Sequence, residues 1–134
     1  MKGTILVIED NERNLYLVTF ILEKYGYKVV QARDGQTGIE LARQINPDLI
    51  LLDIQLPVMD GYAVAQEMMK DRELRSIPIV AVTSYAMLGD RERVLAAGCK
   101  GYIEKPINPA TFVTEIEQYL PASKKGTCPR VKHD

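Results

Sequence analysis

The stretch Leu49–Gly61, LILLDIQLPVMDG, sets four aliphatic residues directly against a carboxylate, Asp53, and then turns through Pro57 to end on Gly61. A short apolar run closed by turn residues reads as a strand covered on both faces, because a half-exposed strand would alternate. Similar runs recur as TILVI (4–8), KVVQA (28–32), IVAV (79–82) and GYIE (101–104), most of them continuous. The intervening segments carry helical period. Leu15, Val18, Leu22 and Tyr25 fall at i, i+3, i+7 and i+10, and Phe112, Ile116 and Tyr119 or Leu120 repeat the pattern. Ile39 with Ala42, Val64 with Met68, and Val94 with Ala97 mark three further helices. Gly26 stands where a left-handed cap is wanted, Pro47 and Pro78 precede the third and fourth strands, and Asn108 with Pro109 opens the last helix. In the loop PVMDG, Pro57 and Gly61 hold the backbone while Asp60 caps the third helix. Five strands alternating with five helices predict an α/β domain with a doubly wound parallel sheet, since parallel neighbours need crossovers of this length.

The chain of 134 residues is long enough for one domain with a real core and too short for two ordinary ones. The periodic region ends near residue 120, so 1–120 is expected to form the domain and 121–134 a mobile tail, without a DNA-binding domain. The composition, 46% hydrophobic and 26% charged, is that of a soluble globular protein. No apolar run reaches membrane-spanning length and the start lacks a signal peptide, so the expected location is the cytoplasm. Two cysteines make no disulfide framework or zinc site; Cys99 reads as a packed thiol and Cys128 as a tail residue. The single histidine, His133, is penultimate, which argues against His-dependent triads and His-rich metal sites. A net charge of -1 gives no general attraction to nucleic acid or anionic lipid.

In an open doubly wound sheet, ligands bind outside the carboxyl ends of the strands. Here the first strand runs into Glu9 and Asp10, the third into Asp53, the fourth into Thr83 and Ser84, and the fifth into Lys105. Three carboxylates and one ammonium sum to about -2, and like charges ~4 Å apart repel by about 4 kcal/mol at an effective dielectric near 20. A divalent cation would cancel that charge, and an oxygen-only ligand set favours Mg²⁺ or Mn²⁺ over zinc. An ionised Asp53 can attack phosphorus without a general base. In-line transfer then needs chiefly positioning and neutralisation, from a metal at Asp10 and Asp53, the Lys105 ammonium and the Thr83 hydroxyl. The product would be a labile acyl phosphate, suited to a timed signal.

These residues resemble the receiver domain of two-component response regulators, the CheY-like superfamily. The likeness spans roughly residues 4–120 and rests on VIEDN, LLDIQLPVMDG, VAVTSYA and GYIEKPI, each at its strand end. DIQLP together with the brevity of the chain is most similar to single-domain DivK-type regulators. The resemblance implies a (βα)5 flavodoxin-like fold with strand order 2-1-3-4-5. It makes Asp53 the phospho-acceptor, assigns Mg²⁺ to Glu9, Asp10, Asp53 and the backbone carbonyl of Gln55, and makes Thr83 the switch hydroxyl, Lys105 the conserved lysine and Tyr102 the switch aromatic. The Lys105–Pro106 bond matches one often found cis. Gln55 and Tyr85 match the variable positions that set phosphoryl lifetime. Glu9 departs from the more usual aspartate but keeps the charge. Implied partners are a sensor histidine kinase or histidine phosphotransfer protein as donor, and a target protein on the surface of the fourth helix, fifth strand and fifth helix. The chain would be a signalling switch rather than an enzyme, present as a monomer or as a phosphorylation-dependent homodimer.

Taken singly, each residue also has a structural explanation. Asp10 or Asn11 could cap the first helix, Thr83 could satisfy a backbone group, Lys105 could be solvated and Tyr102 a core aromatic. Their joint placement favours the functional reading. A haloacid-dehalogenase-type phosphatase would need a second aspartate where this chain has Gln55, and no phosphate-cradling glycine motif follows the first strand. An interaction-only receiver that signals without phosphate, or a receiver excised from a hybrid kinase, are the remaining alternatives.

Overall fold

The five apolar runs are strands, and they lie side by side in one parallel sheet. The computed structural model describes residues 3–83 and 90–120. Strands and helices alternate as β1 (Thr4–Ile8), α1 (Glu12–Lys24), β2 (Lys28–Ala32), α2 (Gly35–Ile45), β3 (Leu49–Asp53), α3 (Gly61–Lys70), β4 (Ile79–Thr83), α4 (Asp90–Ala96), β5 (Gly101–Glu104) and α5 (Pro109–Glu117). The strand order is β2-β1-β3-β4-β5, as the resemblance implies.

Residue parity explains why the central strands are apolar throughout. Leu6, Ile8, Ile50, Leu52, Ile79 and Ala81 pack on one side with Ile39, Ala42, Val64, Met68 and Val94, which places α2, α3 and α4 there. Ile5, Val7, Leu49, Leu51, Val80 and Val82 pack on the other with Leu15, Val18, Leu22, Phe112 and Ile116, which places α1 and α5 there. Every residue of β3 and β4 is buried, whereas the edge strands expose Lys28, Gln31 and Glu104. The connection from β1 to β2 steps one way along the sheet and the later connections step the other way. Crossovers of one hand must then cover opposite faces. The direction reverses between β1 and β3, and there the carboxyl edge opens into a crevice.

Local chemistry fixes the element ends. Asn11, Asp34, Asp60 and Asn108 each accept a backbone N–H in the first turn of their helix, at 3.0, 2.8, 3.0 and 3.0 Å. Gly26 takes the left-handed conformation after α1, with φ 93°, as its position predicts. Asn46, with φ 50°, does the same after α2, and asparagine is among the few residues that tolerate it. Tyr25 is the α1 cap and half-buried rather than a core residue, while Leu120 is buried beyond the end of α5. Cys99 is the packed thiol expected, its pKa pushed up to about 12 by burial. Cys128, His133 and the segment 121–134 lie outside the described residues. Among those described, no helix is long and apolar enough to cross a membrane.

Candidate functional site

The carboxyl edge of the sheet collects side chains from four strands. Register pairs Ile8 with Leu52 and Asp53 with Val82, so Glu9, one residue past β1, and Asp53, the last residue of β3, come side by side. Thr83 closes β4. Lys105 follows β5, and its backbone N–H donates to the Thr83 carbonyl at 2.8 Å. Its ammonium lies 3.0 Å from Glu9 Oε1 and 3.5 Å from Asp53 Oδ1, with the lysine side chain only 12% exposed. The Lys105–Pro106 bond is cis.

Among the described residues, the buried polar or charged side chains are Glu9, Asp53 and Thr83, all at this edge. Burying charge is costly unless it is paired, and the pairing here is partial: two carboxylates share one ammonium. Glu9 shows the consequence. Its pKa is raised from the ordinary carboxylate value to about 7, first by burial and then by the hydrogen bond and charge of Asp53, with Lys105 acting in the opposite sense. Glu9 Oε2 also accepts the Asn11 N–H at 3.2 Å, and Asp53 Oδ1 accepts the Gln55 N–H at 3.0 Å. One carboxylate oxygen from each of Glu9, Asp10 and Asp53 lies within 4.8 Å of the others. Asp10 faces solvent more than its two neighbours. A cluster of hard oxygens with surplus negative charge fits a divalent cation.

The loop after Asp53 is held tightly. Ile54 donates to the Val82 carbonyl at 3.1 Å, and Gly61 donates back to Ile54 at 2.9 Å. A Cβ on Gly61 would come within 2.5 Å of Ile54 Cα and 2.8 Å of the Asp53 carbonyl oxygen, so glycine alone permits this approach. Pro57 begins a tight turn in which Met59 N–H reaches the Pro57 carbonyl at 2.7 Å. At its tip Val58 is fully exposed with φ 65°, a strained conformation for a β-branched residue.

The profile of the response regulator receiver domain family matches residues 5–117. The chain belongs to this family. The receiver is 44% identical over 120 residues to the polar-differentiation response regulator DivK of Brucella ovis, covering 90% of this chain and 98% of that one. Among solved structures it is similar to the receiver domain of sensor histidine kinase PA1611 from Pseudomonas aeruginosa PAO1, which has a magnesium ion coordinated in its active site cleft. That likeness has a TM-score of 0.82 at 34% identity, covering 89% of this chain and 98% of that one. The chemotaxis response regulator CheY4 of Vibrio cholerae gives a TM-score of 0.85 at 25% identity, covering 90% and 100%. The receiver is thus a two-component phosphorelay component and a signalling switch.

Within the receiver, Tyr102 is half-buried on β5 opposite Ala81, packed against the core on the α4 side. The Arg91 guanidinium of α4 sits 5.8 Å above its ring. Gln55 is exposed two residues past Asp53, and Tyr85 lies outside the described residues. Several contacts carried no signal in the sequence: the ion pair of Glu9 with Lys105, the Arg33 side chain donating to the Asp10 carbonyl at 3.1 Å, and the Arg93 guanidinium 3.8 Å over the Tyr62 ring. The first could have been anticipated from the sheet order, because β1 and β5, which run into Glu9 and Lys105, lie on either side of the β3 and β4 pair that carries Asp53 and Thr83. The other two depend on long side chains whose direction a sequence does not encode.

Proposed function

We propose that this receiver takes a phosphoryl group onto Asp53 from the phosphohistidine of a sensor histidine kinase or histidine phosphotransfer protein. The reading rests on one observation: the buried polar or charged side chains among the described residues converge at one sheet edge, with Lys105 bridging two of them. Mg²⁺ would be held by Glu9, Asp10, Asp53 and the backbone carbonyl of Gln55, with Mn²⁺ able to substitute, and when bound it supplies neutralising charge and coordination for phosphoryl oxygens. The magnesium in the PA1611 receiver supports this choice.

The chain's own groups account for the rest. An Asp53 oxygen forms the new P–O bond as the donor's P–N bond breaks, its electron pair leaving with the imidazole. A carboxylate nucleophile needs no general base to take a proton from it first. Strand β3, buried on both faces, fixes the direction of attack. Lys105 stays close to the acceptor and neutralises charge on one phosphoryl oxygen, and the Thr83 hydroxyl donates to another. Gln55, two positions after the acceptor in sequence, and Tyr85, two after the switch threonine, set the lifetime of the acyl phosphate, Tyr85 by excluding water.

Output follows from the same two residues. Thr83 drawn toward the phosphoryl group vacates space that Tyr102 turns inward to fill, which remodels the surface of α4, β5 and α5 where a target protein binds. Moving the population from 1:99 to 99:1 takes about 5.5 kcal/mol, and two charge-assisted hydrogen bonds at ~1.5 to 3 kcal/mol each supply much of it. The test is incubation with acetyl phosphate and Mg²⁺, read by intact mass. Wild type gains one phosphoryl group and Asp53→Asn gains none; an equal gain in the variant, or no gain in wild type, overturns the proposal.

A further inference from the structure

The acidic loop between β1 and α1 is anchored at its two ends. On the strand side the Glu9 N–H donates to the Ala32 carbonyl at 3.0 Å, the last rung between β1 and β2. On the helix side the Asn11 side chain accepts the Asn14 N–H at 3.0 Å, and its carbonyl accepts the Leu15 N–H at 2.9 Å. Between those anchors stands Asp10, the most exposed of the three clustered carboxylates.

Two bonds hold the peptide that joins Asp10 to Asn11. Its N–H donates to Glu9 Oε2 at 3.2 Å, and its carbonyl accepts from Arg33 Nη2 at 3.1 Å. The first bond is a poor anchor for a cation site, because Glu9 belongs to the cluster itself and its other oxygen already takes the Lys105 ammonium at 3.0 Å. A cation drawn to Glu9 competes with both contacts. The second bond carries no such conflict: a guanidinium holds donors only, stays charged and cannot ligate a cation. Arg33 is placed for this by its neighbours. Ala32 before it is buried and pairs with Ile8, and Asp34 after it caps α2 by accepting the Thr37 N–H at 2.8 Å. Nη1, the other arm of the guanidinium, lies 3.7 Å from the Glu12 carboxylate in the first turn of α1, so the side chain spans the loop from Asp10 to the helix start.

We propose that Arg33 is the positioning residue of the acidic loop: by holding the Asp10 carbonyl it keeps the Asp10 carboxylate where a divalent cation meets it together with Glu9 and Asp53, without touching the cation. The assignment rests on the proposed function, which puts Mg²⁺ at those carboxylates. Charge alone argues the other way. A fixed positive charge beside a cation site repels the cation, so its removal should tighten binding, whereas removal of a positioning bond should loosen it. The sign of the change separates the two. Losing a partner that orients a metal ligand typically weakens binding by about tenfold or more, and the 55% exposure of Arg33 puts this bond at the low end.

Titration of the full chain with Mg²⁺ alone decides the matter, followed by backbone amide shifts in ¹H–¹⁵N spectra, which also show that each variant is folded. Arg33→Ala should raise the Mg²⁺ dissociation constant about threefold to tenfold. In chelator, the heteronuclear NOE of the Asp10 and Asn11 amides should fall in the same variant, because the loop has lost a tether. Arg33→Lys, which keeps the charge and an N–H donor, should recover most of the affinity. Glu12→Gln removes only the outer ion pair and should stay within about twofold of wild type. Tighter or unchanged binding by Arg33→Ala, an unchanged NOE, a lysine variant as weak as the alanine one, or an equal loss in Glu12→Gln overturns the assignment. If wild type binds Mg²⁺ and the Arg33 variants do not differ from it, this assignment alone falls and the Asp53 reading stands. If wild type binds no Mg²⁺, the cation site falls and the assignment with it.

Discussion

Glu9→Gln isolates the electrostatic cost stored at the sheet edge. Glu9 is 4% exposed and its pKa rises from 4.5 to about 7 on folding. Between those values the folded chain holds a proton that the unfolded chain releases. The favourable contribution is therefore fully present below pH 4.5 and is lost as pH rises through 7. At about 1.4 kcal/mol per pKa unit, the loss at pH 8 amounts to ~3 kcal/mol relative to the acid side, or roughly 10 °C in melting temperature for a domain of this size. Glutamine is nearly isosteric, can still accept the Asn11 N–H and never ionises. The variant should match wild type near pH 4.5 and exceed it by up to ~3 kcal/mol at pH 8 without divalent cations. Thermal melts by circular dichroism from pH 4.5 to 8.5 in chelator measure the difference. Asp34, lowered chiefly by the Thr37 N–H, and Asp71, lowered chiefly by Arg43, act in the opposite sense and lose stability as pH falls, but they are common to both proteins and cancel. Repeating the melts in Mg²⁺ should shrink the wild-type deficit, because the cation favours ionised carboxylates, and leave the variant less affected. Parallel pH profiles for the two proteins, or a variant less stable at pH 8, would refute the reasoning.

Three further outcomes follow from particular contacts. Gly61→Ala forces a Cβ against the Ile54 and Asp53 backbone and should cost ~2 kcal/mol or more in urea unfolding, with slower uptake of phosphate from acetyl phosphate. Lys105→Met leaves two buried carboxylates without their shared cation; the pKa of Glu9 should rise further, seen by carboxyl NMR titration, and phosphorylation of Asp53 should slow by at least about tenfold. Tyr85→Ala should shorten the lifetime of the phosphorylated form, followed as loss of the added mass after the donor is removed.

The fold was legible because its signals are periodic and local. LILL and IVAV are apolar at every position since helices cover both faces of the central strands, and the structure extends each by one residue, to Asp53 and Thr83. The caps at Asp60 and Asn108 and the turn at Gly26 follow from side-chain and backbone preferences that act within three residues. The site was legible for a different reason: once the sheet is parallel, strand ends must meet, and Glu9, Asp53, Thr83 and Lys105 are strand-end residues. What stayed hidden depends on side-chain reach or on three-dimensional crowding. The left-handed turn at Asn46, the strained Val58 and the stacking of Arg91 and Arg93 on Tyr102 and Tyr62 leave no pattern in a single sequence. Nor did the sequence reveal that Glu9, rather than Asp53, would be the closer partner of Lys105.

That last distance bears on how the switch is poised. With Asp53 unmodified, Lys105 lies 3.0 Å from Glu9 and 3.5 Å from Asp53, so its charge is divided between two carboxylates that both need it. On the proposed reading, a phosphoryl group on Asp53 would bring three acceptor oxygens and about one additional negative charge, shifting the balance of attraction toward the β3 end. Glu9 then loses part of its compensation and must keep its proton or find another cation. The strands hold the competing acceptors rigidly, so the response falls to the Lys105 side chain. A resting state in which one cation serves two buried acids is therefore already short of positive charge, and a phosphoryl group on Asp53 would deepen that shortage, so Lys105 must shift toward β3 or a further cation must enter the edge.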